Sequence, residues 1–345
     1  VLLRFLILIS FFVFSAGLDA ADETMLDVGW DQLIDIPWKA CQSGGFFDDL
    51  TPSRKVAYRR CGNVKTSRPV LMIPGYTEPA MKYVELVTDL SAKMPEFGPW
   101  YLLDLPGQGA SDRLVNLQLV DRRVVHVDIP ERYPQAVLEL IKKVILPENK
   151  GESPAVIAHS TGALVFMSAL QRAPGLASKV VMTAPLIWPK TPFPNFFVSV
   201  MAKLHCKLSF CESTAWGRQT VPIEAKTFET NISTTSRPRW LASHKIGLKY
   251  PEYYSSGTSW GWLRMAMTLG SEISRAKTPM GRGTLILMAD DDGYIDPKPS
   301  LDACARSLGC ETVTLKGSRH EILHEIDAVR NPAIESIIRH FRSGS

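Results

Sequence analysis

Ala155-Val156-Ile157-Ala158-His159-Ser160-Thr161-Gly162-Ala163 decides the fold, because an apolar strand runs into a serine set between small residues and a helix follows at once. That layout is a nucleophile elbow. A serine on so sharp a strand-to-helix turn projects its hydroxyl away from the backbone, and small residues two positions to either side let strand and helix pack closely. Those positions hold Ala158 and Gly162. Glycine is usual at both, so Ala158 departs from the pattern by one methyl group.

An acid and a histidine follow in order. Thr284–Ala289 reads as a buried parallel strand that ends in Asp290-Asp291-Asp292-Gly293, a loop placed to hold a carboxylate at the strand's carboxyl end. Glu311–Leu315 reads as the next strand and is followed by the turn Lys316-Gly317-Ser318-Arg319 and then His320. The order Ser, Asp, His is that of a triad built on an α/β-hydrolase sheet, and differs from the chymotrypsin and subtilisin orders. Taken singly, a serine turn, an acidic loop and a histidine are ordinary structural features. Their agreement in strand context, order and spacing carries the catalytic reading.

A second chemistry meets at the same histidine. His320-Glu321-Ile322-Leu323-His324 matches H-E-x-x-H, in which two histidines one helical turn apart bind zinc and the glutamate acts as base. Such a motif belongs inside a helix with a third ligand downstream. Here a strand and a glycine turn precede His320, Arg330 stands where the extended pattern needs histidine, and neither Glu325 nor Glu335 has the required spacing. The zinc-dependent hydrolase is therefore the alternative, with His324 expected to pack or cap, and no metal or cofactor is expected for the serine reading.

The chain has 345 residues, 45% hydrophobic, with a formal net charge of +4, enough for one large α/β domain carrying an insertion. No aromatic-studded basic run appears, which argues against nucleic acid as a partner. Val1–Leu18 is apolar apart from Arg4 and Ser10, too short for a spanning helix and suited to a secretory signal or anchor over residues 1–21. This predicts a cell-envelope protein, periplasmic or inner-membrane associated; a cytoplasmic one is the alternative if the stretch is a start-site artefact. Cys206 and Cys211, Cys304 and Cys310, and Cys41 and Cys61 form three pairs that an exported protein can bridge, and six reduced thiols are the alternative.

Residues to about Asp49 carry helix-like apolar spacing. Strands are expected at Arg54–Arg60, Val70–Ile73, Tyr101–Asp104, Ala155–Ala158, Lys179–Thr183, Thr284–Ala289 and Glu311–Leu315. Helical patterns at Ala80–Ala92, Glu131–Val144, Gly162–Arg172, Ser300–Leu308 and Pro332–Phe341 separate them. The alternation predicts a mostly parallel central sheet with helices on both faces and ligands at the carboxyl ends of its strands. It stops between Trp188 and Pro279, where five of the eight tryptophans fall. That stretch is too long for a loop and reads as an inserted helical cap, residues 188–279, between core segments 22–187 and 280–345. A cap over the strand ends would wall the site with apolar surface, as an acyl chain requires.

Outward from Ser160, the chain resembles α/β-hydrolases of the monoacylglycerol lipase and bacterial lysophospholipase group, also described as serine-aminopeptidase-like hydrolases. Ile73-Pro74-Gly75-Tyr76-Thr77-Glu78 is similar to the family's first active-site loop, with Pro74 where histidine is usual, and Asp104–Ser111 is similar to its D-x-x-G-x-G-x-S loop. Gly317–Leu323, Asn231–Thr235 and Gly257–Leu263 resemble the histidine loop and two cap stretches of the lysophospholipase branch. The resemblance spans about Phe46 to the carboxyl end. It implies the α/β-hydrolase fold and aligns Asp292, rather than Asp290 or Asp291, with the catalytic acid beside Ser160 and His320. It also implies an oxyanion hole from the backbone N–H groups of Thr161 and Tyr76, and substrate-binding positions at Gly75, Trp260 and Trp262. The implied activity is hydrolysis of a carboxylic ester of a lysophospholipid or monoacylglycerol through an acyl-enzyme. The apolar leader and the tryptophan-rich cap suggest in addition that the substrate is met at a membrane or micelle surface. Peptide or amide cleavage and a catalytically silent lipid-binding fold are the alternatives.

Overall fold

The computed structural model describes residues 30–50, 54–62 and 66–343; Val1–Leu18 and the rest of the leader lie outside them. Eight strands form one sheet: β1 (Gln42–Asp48), β2 (Lys55–Cys61), β3 (Val70–Ile73), β4 (Trp100–Leu103), β5 (Ala155–His159), β6 (Lys179–Thr183), β7 (Thr284–Ala289) and β8 (Glu311–Leu315). Their order is β1-β2-β4-β3-β5-β6-β7-β8. β1 and β2 pair antiparallel, β2 runs antiparallel to β4, and the remaining neighbours are parallel. Every residue of β3, β4, β5 and β7 is buried, as strands covered on both faces must be.

The chain moves one way along the sheet from β3 to β4 and the other way from β4 through β5 to β8. Right-handed crossovers then place α1 (Val84–Lys93) on one face, and α2 (Arg132–Leu140) and α3 (Thr161–Arg172) on the other. β3 and β5 pair directly, Ile73 opposite Ala158, and their following connections diverge. The crevice between those two loops is the switch point where an open α/β sheet binds ligands. Ser160 leaves β5 at this point.

Between β6 and β7 lie α4 (Asn195–Lys207), α5 (Arg237–Lys249) and α6 (Trp260–Arg275), and the sheet side is completed by α7 (Lys298–Ala305) and α8 (Asp327–Arg342). The inserted segment has two parts. α6 packs along α3 and is tied to it by Arg172–Glu272 at 2.8 Å, so it belongs to the helical layer of the sheet; α4 packs on the outer side of α6. Thus the covering part is shorter than the whole of 188–279.

One expected helix is a strand. Helix is present at Asp31–Asp35 and Ile36–Ala40, but Gln42–Asp48 pairs with β2 instead of continuing it. The register slips between Gln42 and Gly45, and a Cβ on Gly44 would stand 1.7 Å from the Tyr58 carbonyl oxygen, so the bulge requires glycine there. Cys41–Cys61, Cys206–Cys211 and Cys304–Cys310 are disulfides.

Candidate active site

Ser160 sits at φ 50°, a left-handed conformation costly for any side chain but glycine. Its backbone holds it there: the N–H donates to the Thr183 carbonyl at 3.0 Å, and its carbonyl accepts from Ala163 and Leu186, both at 3.1 Å. A Cβ at Gly162 would meet the Pro74 and Ile73 carbonyl oxygens at 2.4 and 2.6 Å, which is why the second position after the serine must be glycine. Ala158, by contrast, fits fully buried within β5.

The Ser160 Oγ lies 2.9 Å from His320 Nε2, and His320 Nδ1 lies 2.7 Å from Asp292 Oδ2. Asp292 is fixed in turn by the N–H groups of Tyr294 and Ile295, which donate to its Oδ1 at 2.8 and 3.1 Å. Burial raises the Asp292 pKa, but the hydrogen bond from His320 and its charge outweigh this and hold the carboxyl below its ordinary value. Asp290 instead accepts from the Gly317 N–H and braces the turn before the histidine. Under the His320 ring, 4.9 Å away, lies His159, whose Nδ1 meets Thr183; burial pushes its pKa down to about 4, so it is neutral near pH 7.

The loop after β3 is stapled from two sides. Glu78 Oε2 accepts from the Gly75 N–H at 2.7 Å and the Tyr83 hydroxyl at 2.5 Å, while Gln108 donates to the Gly75 carbonyl at 3.0 Å and accepts from the Thr77 N–H at 2.7 Å. The Asp104–Ser111 loop is thus a brace: Asp104 accepts from Ala80 and Ala110, and burial pushes its pKa up to about 6. Tyr76 remains facing the site. Its backbone N–H and that of Thr161 have no acceptor among the described residues.

Lys82 joins this loop to the histidine loop. Its ammonium lies 2.6 Å from Glu78 and 2.8 Å from Glu321, and its backbone carbonyl is 3.0 Å from His324 Nε2. Burial disfavours all these charges. Even so, the Lys82 ammonium holds Glu78 well below the usual carboxylate range, and Glu321 with Glu78 raises Lys82 above the ordinary lysine value. Sequence reading did not single out Glu78 and Lys82, although their i, i+4 spacing was a visible signal.

The zinc pattern is not assembled. Both ring nitrogens of His320 are engaged by Asp292 and Ser160, His324 faces Lys82 and Tyr83, and Ile322–His324 is a single 3-10 turn rather than part of an α-helix. Among the described residues no group of three metal-binding side chains gathers.

A cavity of about 710 Å³ opens over Ser160 and His320, walled by Leu186, Ile232, Ile246, Trp262, Leu263 and Ile295 among others. Trp262 stands 4.7 Å from the Tyr76 ring, and its buried indole N–H has no partner among the described residues. Two expected wall residues are elsewhere. Trp260 is two positions from Trp262 on one helix, hence about 200° around it; its ring stacks on His205 at 4.0 Å and meets Trp216 edge-on, outside the cavity. Gly75 does not line the cavity either, because its N–H and carbonyl are spent on Glu78 and Gln108, and a Cβ there would press on Glu78 at 2.7 Å. The two cap stretches act as ties. Thr258 Oγ1 meets the Tyr76 hydroxyl at 2.6 Å, and the Ser233 carbonyl accepts from the Glu321 N–H at 2.8 Å.

Sheet order, elbow and inserted segment together define an α/β-hydrolase. A family model described as serine aminopeptidase, S33, matches residues 65–327, and the chain belongs to that family. It is 26% identical over 304 residues to lysophospholipase L2 of Escherichia coli (strain K12), covering 85% of each chain, and 22% identical over 293 residues to the probable lysophospholipase L2 of Haemophilus influenzae, covering 83% of this chain and 88% of that one. Among solved structures, a soluble variant of monoglyceride lipase from Saccharomyces cerevisiae in complex with a substrate analog aligns at TM-score 0.64 with 17% identity, covering 86% of this chain and 94% of that one. Paleococcus ferrophilus monoacylglycerol lipase aligns at TM-score 0.62 with 18% identity, covering 83% and 99%.

Proposed function

We propose that the protein is a serine hydrolase that cleaves the carboxylic ester of a lysophospholipid or monoacylglycerol through an acyl-enzyme. The observation that carries this reading is the unbroken hydrogen-bonded chain Ser160–His320–Asp292 at the floor of a cavity whose wall includes Leu186, Ile232, Ile246, Trp262, Leu263 and Ile295. Asp292 holds the imidazole in the tautomer that leaves Nε2 free to take the Ser160 proton. The Ser160 oxygen adds to the ester carbonyl, and the oxyanion meets the unpaired N–H groups of Tyr76 and Thr161, each worth on the order of 3 kcal/mol in the transition state. Collapse breaks the ester bond, the glycerol oxygen leaves with the proton from His320, and water then releases the fatty acid by the same steps. A panel of lysophospholipids, monoacylglycerols and aminoacyl amides of matched size tests the reading. Ester cleavage that depends on Ser160 is expected, and turnover confined to the amides would overturn it. The lining carboxylates Glu78 and Glu321 are both held by Lys82, which disfavours an aminopeptidase's need for a free anion to receive an α-amino group.

Membrane contact belongs to the same proposal. Phe196, Phe197, Val200 and Leu204 are exposed along α4, with Phe193 and Leu208 exposed just beyond its two ends, Phe196 being 81% exposed; the helix has no acidic residue, and Lys203 and Lys207 are exposed beside these side chains. Apolar residues flanked by lysines suit an anionic lipid surface. Three disulfides support a place in the cell envelope. The check is fractionation with alkylation: recovery in the cytosol with six reactive thiols would contradict it.

A further inference from the structure

Gln108 reaches the active-site loop from behind. Two peptide units meet at the Tyr76 α-carbon, one carrying the Gly75 carbonyl and the Tyr76 N–H, the other the Tyr76 carbonyl and the Thr77 N–H. Gln108 holds both units. Its Nε2 donates to the Gly75 carbonyl at 3.0 Å and its Oε1 accepts from the Thr77 N–H at 2.7 Å, while the Thr77 hydroxyl donates to the Tyr76 carbonyl at 2.6 Å. Of these backbone groups the Tyr76 N–H alone has no acceptor among the described residues.

Planarity turns that pattern into a direction. The Gly75–Tyr76 bond is trans, since the cis bond among the described residues is Gly98–Pro99, so the Tyr76 N–H points opposite to the Gly75 carbonyl of the same plane. Gln108 is fully buried and does not line the cavity, whereas Tyr76, Thr77, Ser160 and Thr161 do. A carbonyl held toward Gln108 therefore aims its N–H at the cavity. Ser160 is close by, because a Cβ built on Gly75 would stand 3.3 Å from the Ser160 Cβ. A carbonyl that accepts a hydrogen bond also polarises its own peptide, which strengthens the opposite N–H as a donor. Gln108 is itself immobilised: its N–H donates to the Leu105 carbonyl at 2.9 Å and its carbonyl accepts from the Ser111 N–H at 3.0 Å. What it restrains would otherwise relax. Thr77 sits at φ 64°, a conformation that a β-branched residue keeps only when its surroundings impose it.

We propose that Gln108 is a positioning residue for the oxyanion hole, its amide setting the peptide plane that presents the Tyr76 N–H to the oxygen on which charge develops. This rests on the serine-hydrolase reading above and adds to it a residue that touches no substrate. The residue type matters. An amide can donate to one peptide and accept from the next, whereas a carboxylate can only accept and a thioether side chain does neither well. Deleting an oxyanion donor outright costs about a hundredfold or more in kcat, so misdirecting one should cost about tenfold to a hundredfold.

The test measures kcat and KM for p-nitrophenyl butyrate, per active site counted by the endpoint of fluorophosphonate labelling, in the native protein, Gln108→Met and Gln108→Glu. Inhibition by an alkyl trifluoromethyl ketone, whose serine adduct places an oxyanion in the hole, is measured beside it. Gln108→Met should lose about tenfold to a hundredfold in kcat with KM within about threefold, and should bind the ketone more weakly by a similar factor. Gln108→Glu should be as poor near about pH 9, where its carboxylate cannot donate to Gly75. Its kcat relative to the native protein should recover as the pH falls toward about 6, because a buried carboxyl regains its proton early and then donates and accepts as the amide does. A kcat per site within about twofold of native in Gln108→Met, or a loss of kcat with no matching loss of ketone affinity, overturns the proposal. A glutamine that only supports the fold would lower the number of labelled sites and leave kcat per site unchanged, which is the same contrary result. If Gln108→Met does not fold, Gln108→Glu decides alone, and a ratio to native that does not move with pH overturns the proposal. If the native protein hydrolyses no ester, the lipid-ester reading fails, and the ketone affinities of the native protein and Gln108→Met still decide the role of Gln108.

Discussion

The loops around Ser160 and the helix α4 are built on opposite principles. At the first, charged and polar groups are buried and paired: Glu78, Lys82, Tyr83, His159 and His324 are each nearly inaccessible, and each has a named partner. On α4 and just beyond its ends, the large apolar side chains of Phe193, Phe196, Phe197, Val200, Leu204 and Leu208 are left in the open. Buried charge held in place gives a site that does not rearrange when charge develops on the substrate. Exposed apolar surface contributes nothing to the fold and is retained for something outside it.

Four perturbations sharpen that contrast. The largest effect belongs to His320→Ala, which should lower kcat on an ester substrate about 10⁴-fold, while His324→Ala leaves the Ser160–His320 pair in place and should affect stability more than turnover. Comparable losses of turnover from both would reopen the metal reading. Next, Lys82→Met strips two carboxylates of their counter-charge and should cost about 3–5 kcal/mol in denaturant unfolding; adding Glu78→Gln should recover part of this, since the amide oxygen can still accept from Gly75 and Tyr83. Additive losses in the double variant would show that the pair is not coupled.

The third concerns pH. Burial pushes the pKa of His126 down to about 4, its ring lying 3.0 Å from the Ser259 hydroxyl. Below its unfolded value of about 6.5 the unfolded chain takes up a proton that the native ring refuses. Stability supplied by this group is therefore complete above that pH and lost as the pH falls toward 4, by about 3 kcal/mol. His126→Asn should flatten the pH dependence of Tm across this window, and an unchanged slope would contradict the assignment. The smallest effect on stability is expected from Phe196→Ser with Phe197→Ser, within about 1 kcal/mol. Their consequence should appear as a weakened rise in activity when a long-chain substrate passes its micelle concentration, with short soluble esters unaffected.

What was legible in the sequence follows the same division. The elbow could be read because its requirements are local: a small residue at Gly162 to admit the Ile73 and Pro74 carbonyls, and a serine at positive φ between strand and helix. The five central strands, β3 to β7, showed as buried apolar runs; β2, partly buried, and β8, largely exposed, could still be read as strands, and only β1 was hidden, by glycines at its bulge. Three consecutive aspartates carry no local mark of which one meets His320; family likeness pointed to Asp292, the one 2.7 Å from the ring. The bridge that Lys82 makes went unread: its i, i+4 spacing from Glu78 was visible, but Glu321 meets it only across the fold, 2.8 Å away, and pairing of that kind leaves no periodic trace. Trp260 was misplaced because the likeness of a short stretch to a family pattern does not say which side of a helix each ring takes.

The account turns on Ser160 as the atom that attacks. Exposure of the native protein and of Ser160→Ala to a fluorophosphonate, with mass mapping of the adduct and parallel assay of p-nitrophenyl butyrate hydrolysis, tests this directly. A single adduct on Ser160, absent from the variant together with its ester hydrolysis, is the predicted result; label on another residue, or hydrolysis that survives in Ser160→Ala, would contradict it.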